Sequence, residues 1–589
     1  MLYPQSNRFR QQVDLSGVWD FRFDPQNEGD QASWQSGFTG ARPAAVPASW
    51  NEQFEDGRDY LGVAWYQTEF TIPWGWAADK HSISVRFESV NYSAEVWLNG
   101  VQLGAHEGGH LPFEFDITKH IRPANNRLVV RVDGELTPDR VPPGNLASLM
   151  QQEKQIAFEE TNFPAGSFDF FPFCGIQRPV TLIVAPREGI SDLTVLTDIA
   201  DRDGRVRVQI KHNGAGEMTA RVALKNTDSL AEAVINDETK EVLLEVPDAH
   251  FWSPASPYLY DLHIELVQGT SVLDEYSLQV GIRTIRVQGD QLLLNGEPVY
   301  LRGFGRHEDF PVIGRGYAPA VIVKDYALMQ WMGANSFRTT HYPYSETMMQ
   351  LADRLGFLVI DETPAVGLFF ANEGLEQRLE LCKQYTKELI ARDKNHPSVI
   401  MWSLANEPHS QQYQAESSAF FSPLFDLARS LDSSRPLTMT SYIGLQEPAY
   451  EFADVLSLNR YAGWYSQPGQ LDEAIPVLSA ELDALHQKFN KPIIVTEFGA
   501  DALAGHHAQP PEMFSEEYQA DMLEQYIQLF RTKAFVIGEH IWNLCDFKTG
   551  QSVRRVGGLN LKGIFTRDRR PKLAAHRVRA LWTNPTTKD

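Results

Sequence analysis

The stretch VIMWSLANEP, residues 399–408, decides the fold. Val399 to Trp402 are apolar or aromatic in succession, as in a strand buried on both faces, and small residues then lead to Asn406 and Glu407. Pro408 has no N–H for a ladder and stops the extended run. A second stretch, PIIVTEFG at 492–499, repeats the order: an apolar run, Glu497, then a glycine. A carboxylate just past a buried parallel strand stands where barrel enzymes hold their reactive groups.

Around these stretches, from about Thr284, strand-like runs alternate with helical patterns. The runs are Val299–Arg302, Ala334–Arg338, Leu358–Asp361, Val399–Leu404, Leu437–Ser441, Val455–Leu458, Ile493–Thr496 and Val536–Trp542. Helical patterns fall at Val321–Met332, Glu376–Arg392, Ser422–Leu431 and Glu516–Thr532. Residues 284–589 are therefore predicted to form a (β/α)8 TIM barrel. No G-x-G-x-x-G opens the first unit, which weakens a dinucleotide-binding sheet.

Residues 1–184 read as a β-sandwich of short alternating strands, with Asn99-Gly100 as a two-residue hairpin turn. Trp19, Trp50, Trp65 and Trp97 offer a sugar-stacking platform, but large aromatics at strand spacing favour core packing. Residues 185–283 have the length of a second small sandwich and carry little that is chemical.

The 53 Lys and Arg against 76 Asp and Glu give a net charge of −23. That argues against a nucleic-acid or anionic-membrane partner, both of which need a basic face. Three widely spaced cysteines, Cys174, Cys382 and Cys545, suit buried free thiols rather than a disulfide framework or zinc ribbon. MLYPQSNRFRQQ lacks an apolar signal core, and no run of 18 or more apolar residues follows, so the expected location is cytoplasmic. The triplet Asn91-Tyr-Ser93 carries little weight as a glycosylation signal.

On this strand count Glu407 ends strand 4 and Glu497 strand 7, and a closed barrel brings both to one mouth. Two carboxyls about 5 Å apart suit a retaining glycosidase. Like charges so close cannot both ionise easily, so one keeps a proton and can serve as the acid. Other polar or aromatic residues gather at strand ends: Arg338, His341, Asp361, Glu362, Asn459, Tyr461, Trp542 and Asp546, as in a pocket lined with sugar hydrogen-bonders. The run RRVGGLNLKGIFTRDRRPK (554–572) holds seven basic residues and one acid. Arg567, Arg569 and Arg570 read as a solvated basic helix start, whereas the glycines let Asn560 and Lys562 point one way, suited to a sugar carboxylate. His506-His507 reads as turn, so no metal is expected.

With these residues in view, the chain resembles the β-glucuronidases of glycoside hydrolase family 2 over nearly its whole length. LSGVWDF, VPASWNE and VWLNGVQLGAHEGGHLPFEFDIT resemble the family's sugar-binding jelly roll, and FWSPASPYLYDLHIEL its immunoglobulin-like domain. LNGEPVYLRGFGRHED, HYPYSETMMQLADRLGFLVIDE, MWSLANEP and TEFGAD resemble its barrel signatures. The resemblance implies a retaining exo-β-D-glucuronidase without cofactor, with Glu407 as acid/base and Glu497 as nucleophile. It further implies sugar contacts from Asp169, His341, Asn406, Asn459, Tyr461, Tyr465, Trp542 and Arg555, with Asn560 and Lys562 selecting uronic acids. A homo-oligomer acting on small-molecule or oligosaccharide glucuronides is the implied assembly and substrate. The chain lacks the long insertion many gut bacterial members carry after strand 3, which implies an open mouth and tolerance of bulky aglycones. The alternatives are a β-galacturonidase or dual-specificity uronidase, then a family 2 β-galactosidase or β-mannosidase, and last a non-catalytic carbohydrate-binding protein.

Overall fold

The computed structural model describes residues 1–73, 75–76, 80–144, 163–164, 166–236, 240–370 and 374–583. Eight parallel strands close a barrel: β1 (Leu301–Gly305), β2 (Ser336–Arg338), β3 (Leu358–Glu362), β4 (Val399–Asn406), β5 (Leu437–Ser441), β6 (Leu456–Asn459), β7 (Ile493–Glu497) and β8 (Val536–Ile541). β1 pairs with β8 from Leu301↔Gly538 to Phe304↔Ile541, which leaves no open edge. Outside lie α1 (Pro319–Met332), α2 (Glu346–Leu355), α3 (Leu375–Asp393), α4 (Gln414–Leu431), α5 (Leu471–Phe489), α6 (Glu516–Phe530) and α7 (Leu573–Thr583). Two short 3-10 turns replace a helix between β5 and β6. All eight residues of β4 are buried, as a strand with side chains on both the barrel interior and the helix layer requires.

The first strand begins later than Val299, because Val299 donates its N–H to Leu292 in a small hairpin beneath the barrel. Ile285, Leu292 and Leu294 of that hairpin pack with Leu301, Ile360, Met401 and Ile494, plugging the floor. The opposite end therefore carries the polar groups.

Ahead of the barrel stand two antiparallel sandwiches. The first packs a four-stranded sheet (Gln11–Asp14, Val180–Pro186, His81–Phe87, Phe113–Asp116) on a six-stranded one. Trp19 and Trp50 lie in its core, and Trp65 stacks on Trp97 at 5.5 Å, so all four tryptophans are core residues and not a platform. Asn99 and Gly100 join Ser93–Leu98 to Val101–Glu107 with φ of 54° and 84°, the positive values a type I′ turn demands. Asn91 is fully buried, which closes it to modification. The second sandwich packs Ile190–Ala200, Asp203–His212 and Glu241–Val246 against four strands running between Met218 and Val280. Cys174, Cys382 and Cys545 are buried free thiols. No helix among the described residues is long and apolar enough to cross a membrane.

Candidate active site

A cavity of about 330 Å³ opens at the C-terminal ends of the strands. Its wall includes Asp169, His341, Asn406, Glu407, Tyr461, Tyr465, Glu497, Trp542, Arg555 and Asn560. Glu407 follows β4 with a φ of 48°, a left-handed backbone that costs a non-glycine residue roughly 1–3 kcal/mol and is held by its N–H bond to Thr440 O. The turn carries its carboxylate into the cavity, where Asn459 Nδ2 donates to Glu407 Oε1 at 2.7 Å. Among the described residues Glu407 Oε2 has no hydrogen bond.

Glu497 is held differently. Arg338 Nη2 donates to its Oε1 at 2.5 Å and the Tyr461 hydroxyl to its Oε2 at 2.6 Å. Arg338 Nη1 meets both oxygens of Glu362 at 2.8 Å, and Glu362 Oε1 accepts from His341 Nδ1 at 2.8 Å. His341 is neutral, since burial and Arg338 push its pKa far down; its Nε2 lies 3.5 Å from Glu497 and its ring stacks on Trp542.

The far wall is built of ion pairs. Arg555 Nε donates to Asp169 Oδ1 at 2.9 Å, and Asn560 Nδ2 to Asp169 Oδ2 at 2.8 Å, so a residue of the first sandwich completes the barrel's site. Behind this wall Lys562 pairs with Asp501, and the Tyr465 hydroxyl accepts from Lys562 at 2.9 Å and from Arg555 at 3.1 Å.

Residues 13–186 match the sugar-binding domain of glycosyl hydrolases family 2, residues 189–283 a further domain of that family, and residues 285–586 its TIM barrel domain. The chain is 40% identical to a β-glucuronidase of Paenibacillus borealis over 99% of this chain and 98% of that one. It is 39% identical to the human β-glucuronidase, over 98% of this chain and 92% of that one. Among solved structures, the β-glucuronidase of Ruminococcus gnavus superposes with a TM-score of 0.92 at 38% identity, covering 99% of this chain and 98% of that chain.

The chain belongs to glycoside hydrolase family 2.

In this family 2 glycoside hydrolase burial presses both carboxylates toward their protonated forms. Burial raises Glu407, and burial with the facing Glu407 charge raises Glu497 to about 8 against the pull of Arg338 and Tyr461. Their hydrogen-bond partners distinguish the two as proton carriers. Both oxygens of Glu497 already accept, one from a guanidinium that can only donate; Glu407 Oε2 is free to carry the proton. Desolvation favours protonating Glu497, and the fixed Arg338 donor opposes it.

Two sequence-derived site residues stand behind the cavity wall. Asn459 holds Glu407 from below, and Lys562 acts from behind Tyr465. Three strand-end acids lie outside the pocket lining expected for them. Asp361 points into the helix layer, where burial and Asp393 raise its pKa strongly, while Glu362, the next residue, points inward beneath His341. Asp546 binds Lys572 at 2.8 Å. Arg567 and Arg569 are not solvated: Arg567 grips Asp309, and Arg569 binds Asp325 at 2.9 Å, the acids of earlier barrel segments having drawn them inward. Arg570 is exposed, as expected.

His307, His409, Tyr442, Phe168 and Phe170 also line the cavity. His307 was legible, since GRHED directly follows β1, and Tyr442 follows β5 in the same way. Phe168 and Phe170 flank Asp169 and are supplied, like it, by the first sandwich. After β3, Val366 and Gly367 lie along the cavity wall beside Asn406. Residues 371–373 of that connection lie outside the described residues.

Proposed function

We propose that the protein hydrolyses terminal β-D-glucuronides as a retaining exo-enzyme. Glu497 attacks the anomeric carbon while Glu407 gives its proton to the leaving oxygen, forming a covalent glycosyl-enzyme. Glu407, now a carboxylate, takes a proton from water, which displaces Glu497 and releases the sugar with its configuration retained. Arg338 and Tyr461 favour the anionic form of Glu497 that attacks; Asn459 fixes Glu407 and Asn406 meets the sugar beside it. His341 offers a neutral Nε2 acceptor to a sugar hydroxyl, and Trp542 backs that side of the ring.

One observation carries the uronide reading: Arg555, Asn560 and Tyr465 line one wall of the cavity that holds both glutamates, and Lys562 bonds the Tyr465 hydroxyl from behind it. Arg555 is paired with Asp169 and Lys562 with Asp501, and a sugar carboxylate that reaches their remaining N–H donors accepts charge-assisted bonds worth roughly 1.5–3 kcal/mol each. The likeness to β-glucuronidases, one solved with D-glucuronic acid, supports the same substrate. Comparing kcat/KM on an aryl β-glucuronide, β-galacturonide and β-galactoside tests it; the glucuronide is expected to lead, and a faster galactoside overturns the reading. The homo-oligomer implied by the family resemblance is tested by the mass of the particle in solution.

A further inference from the structure

We propose that the cleft between the immunoglobulin-like domain and the barrel floor binds a small tetrahedral oxyanion of the phosphate or sulfate class on Arg283. The cleft is a cavity of about 140 Å³, several times what one water needs, walled by Thr197, Arg283, Lys394, Asn395, Ser434 and Arg435. It lies on the N-terminal side of β4 and β5, at the opposite end of the barrel from Glu407 and Glu497.

Arg283 ends the immunoglobulin-like domain and is only 5% exposed. Its Nε donates to Pro397 O at 3.0 Å and its Nη2 to Val399 O at 2.6 Å, where β4 begins. Among the described residues no carboxylate pairs with it, and its Nη1 has no acceptor. A buried cation held only by carbonyls is costly, and such charges are ordinarily paired. The charges around the cleft do not balance. Arg435 spends its Nη1 on Asp432 at 2.7 Å, and Lys394 gives one proton to Asp192 at 2.6 Å. Asp432 also accepts from Trp402 and Ser434, and Asp353 is engaged by His396 and Ser398. Asp432, Asp192 and Asp353 are thus each committed, to Arg435, Lys394 and His396 in turn, and the cation left without a carboxylate of its own is Arg283. Burial and the neighbouring Arg435 press its pKa down to about 9, the sign of an uncompensated guanidinium.

The donors left over, Arg283 Nη1 and the remaining ammonium protons of Lys394, suit an oxyanion with several acceptor oxygens better than a halide. An anion bound here ties the immunoglobulin-like domain to the barrel floor. It therefore acts on stability and leaves the mouth unchanged.

The test is thermal unfolding of the full chain titrated with phosphate, sulfate or chloride at matched ionic strength, alongside calorimetric titration with phosphate. Phosphate or sulfate is expected to raise Tm saturably and chloride not. Arg283→Met should abolish the saturable increment and Lys394→Ala should weaken it several-fold, with kcat/KM unchanged in Lys394→Ala. A Tm that follows ionic strength alone, or an increment retained in Arg283→Met, overturns the proposal. Should Arg283→Met fail to fold, absence of saturable phosphate binding to the unmodified protein overturns it instead.

Discussion

Glu407 and Glu497 share a cavity but not their partners, and the difference can be read in a pH profile. Burial raises Glu407, so the proton that makes it an acid is kept above the ordinary carboxylate range and is lost as pH rises further. When pH falls far enough to protonate both carboxyls, the nucleophile is lost. The rate is therefore expected to be bell-shaped with an alkaline limb above the ordinary carboxylate range, measured as kcat/KM across pH. Lys562 acts at the same scale. Lys562→Ala should cost tenfold or more in glucuronide kcat/KM while any galactoside rate barely moves. Equal losses on both substrates would assign Lys562 to the fold through its pair with Asp501 rather than to substrate choice.

Between elements, the buried arginines act as ties. Asp325 on α1 is fully buried and accepts from Arg306 after β1, at 2.6 Å, and from Arg569 beyond β8, at 2.9 Å. The two guanidiniums outweigh burial and hold its carboxyl below the ordinary range. Its stabilising contribution is thus present above the usual carboxylate pKa and lost as pH falls through the lowered one. Asp325→Ala leaves both cations buried and unpaired, an expected loss of about 3–5 kcal/mol by urea denaturation. A loss under 1 kcal/mol would show that water compensates them. The tie also explains why the basic run after β8 misleads as sequence. Its composition suggests solvent, but Asp309 and Asp325 claim Arg567 and Arg569, and no local pattern announces partners some 240 to 260 residues away.

Across the whole molecule, the catalytic mouth belongs to two domains. Asp169 reaches from the first sandwich to Arg555 and Asn560 on the barrel, so that sandwich is part of the wall. Asp169→Ala should lower glucuronide kcat/KM on the order of tenfold, the scale of one charge-assisted bond, with Tm little changed. An unchanged rate would make the sandwich a scaffold only. The sequence alone determined the barrel, its strand order, and the arrival of both glutamates at one mouth. Each of those follows from a local signal: an unbroken apolar run, a stop, and a strand-end position. Only the tertiary structure decided which neighbouring acid turns inward (Glu362 and not Asp361), which cations are matched (Arg569 and not Arg283), and that Asp169 joins Arg555. These depend on side-chain direction and on contacts between segments far apart in the chain, and hydrophobic periodicity encodes neither.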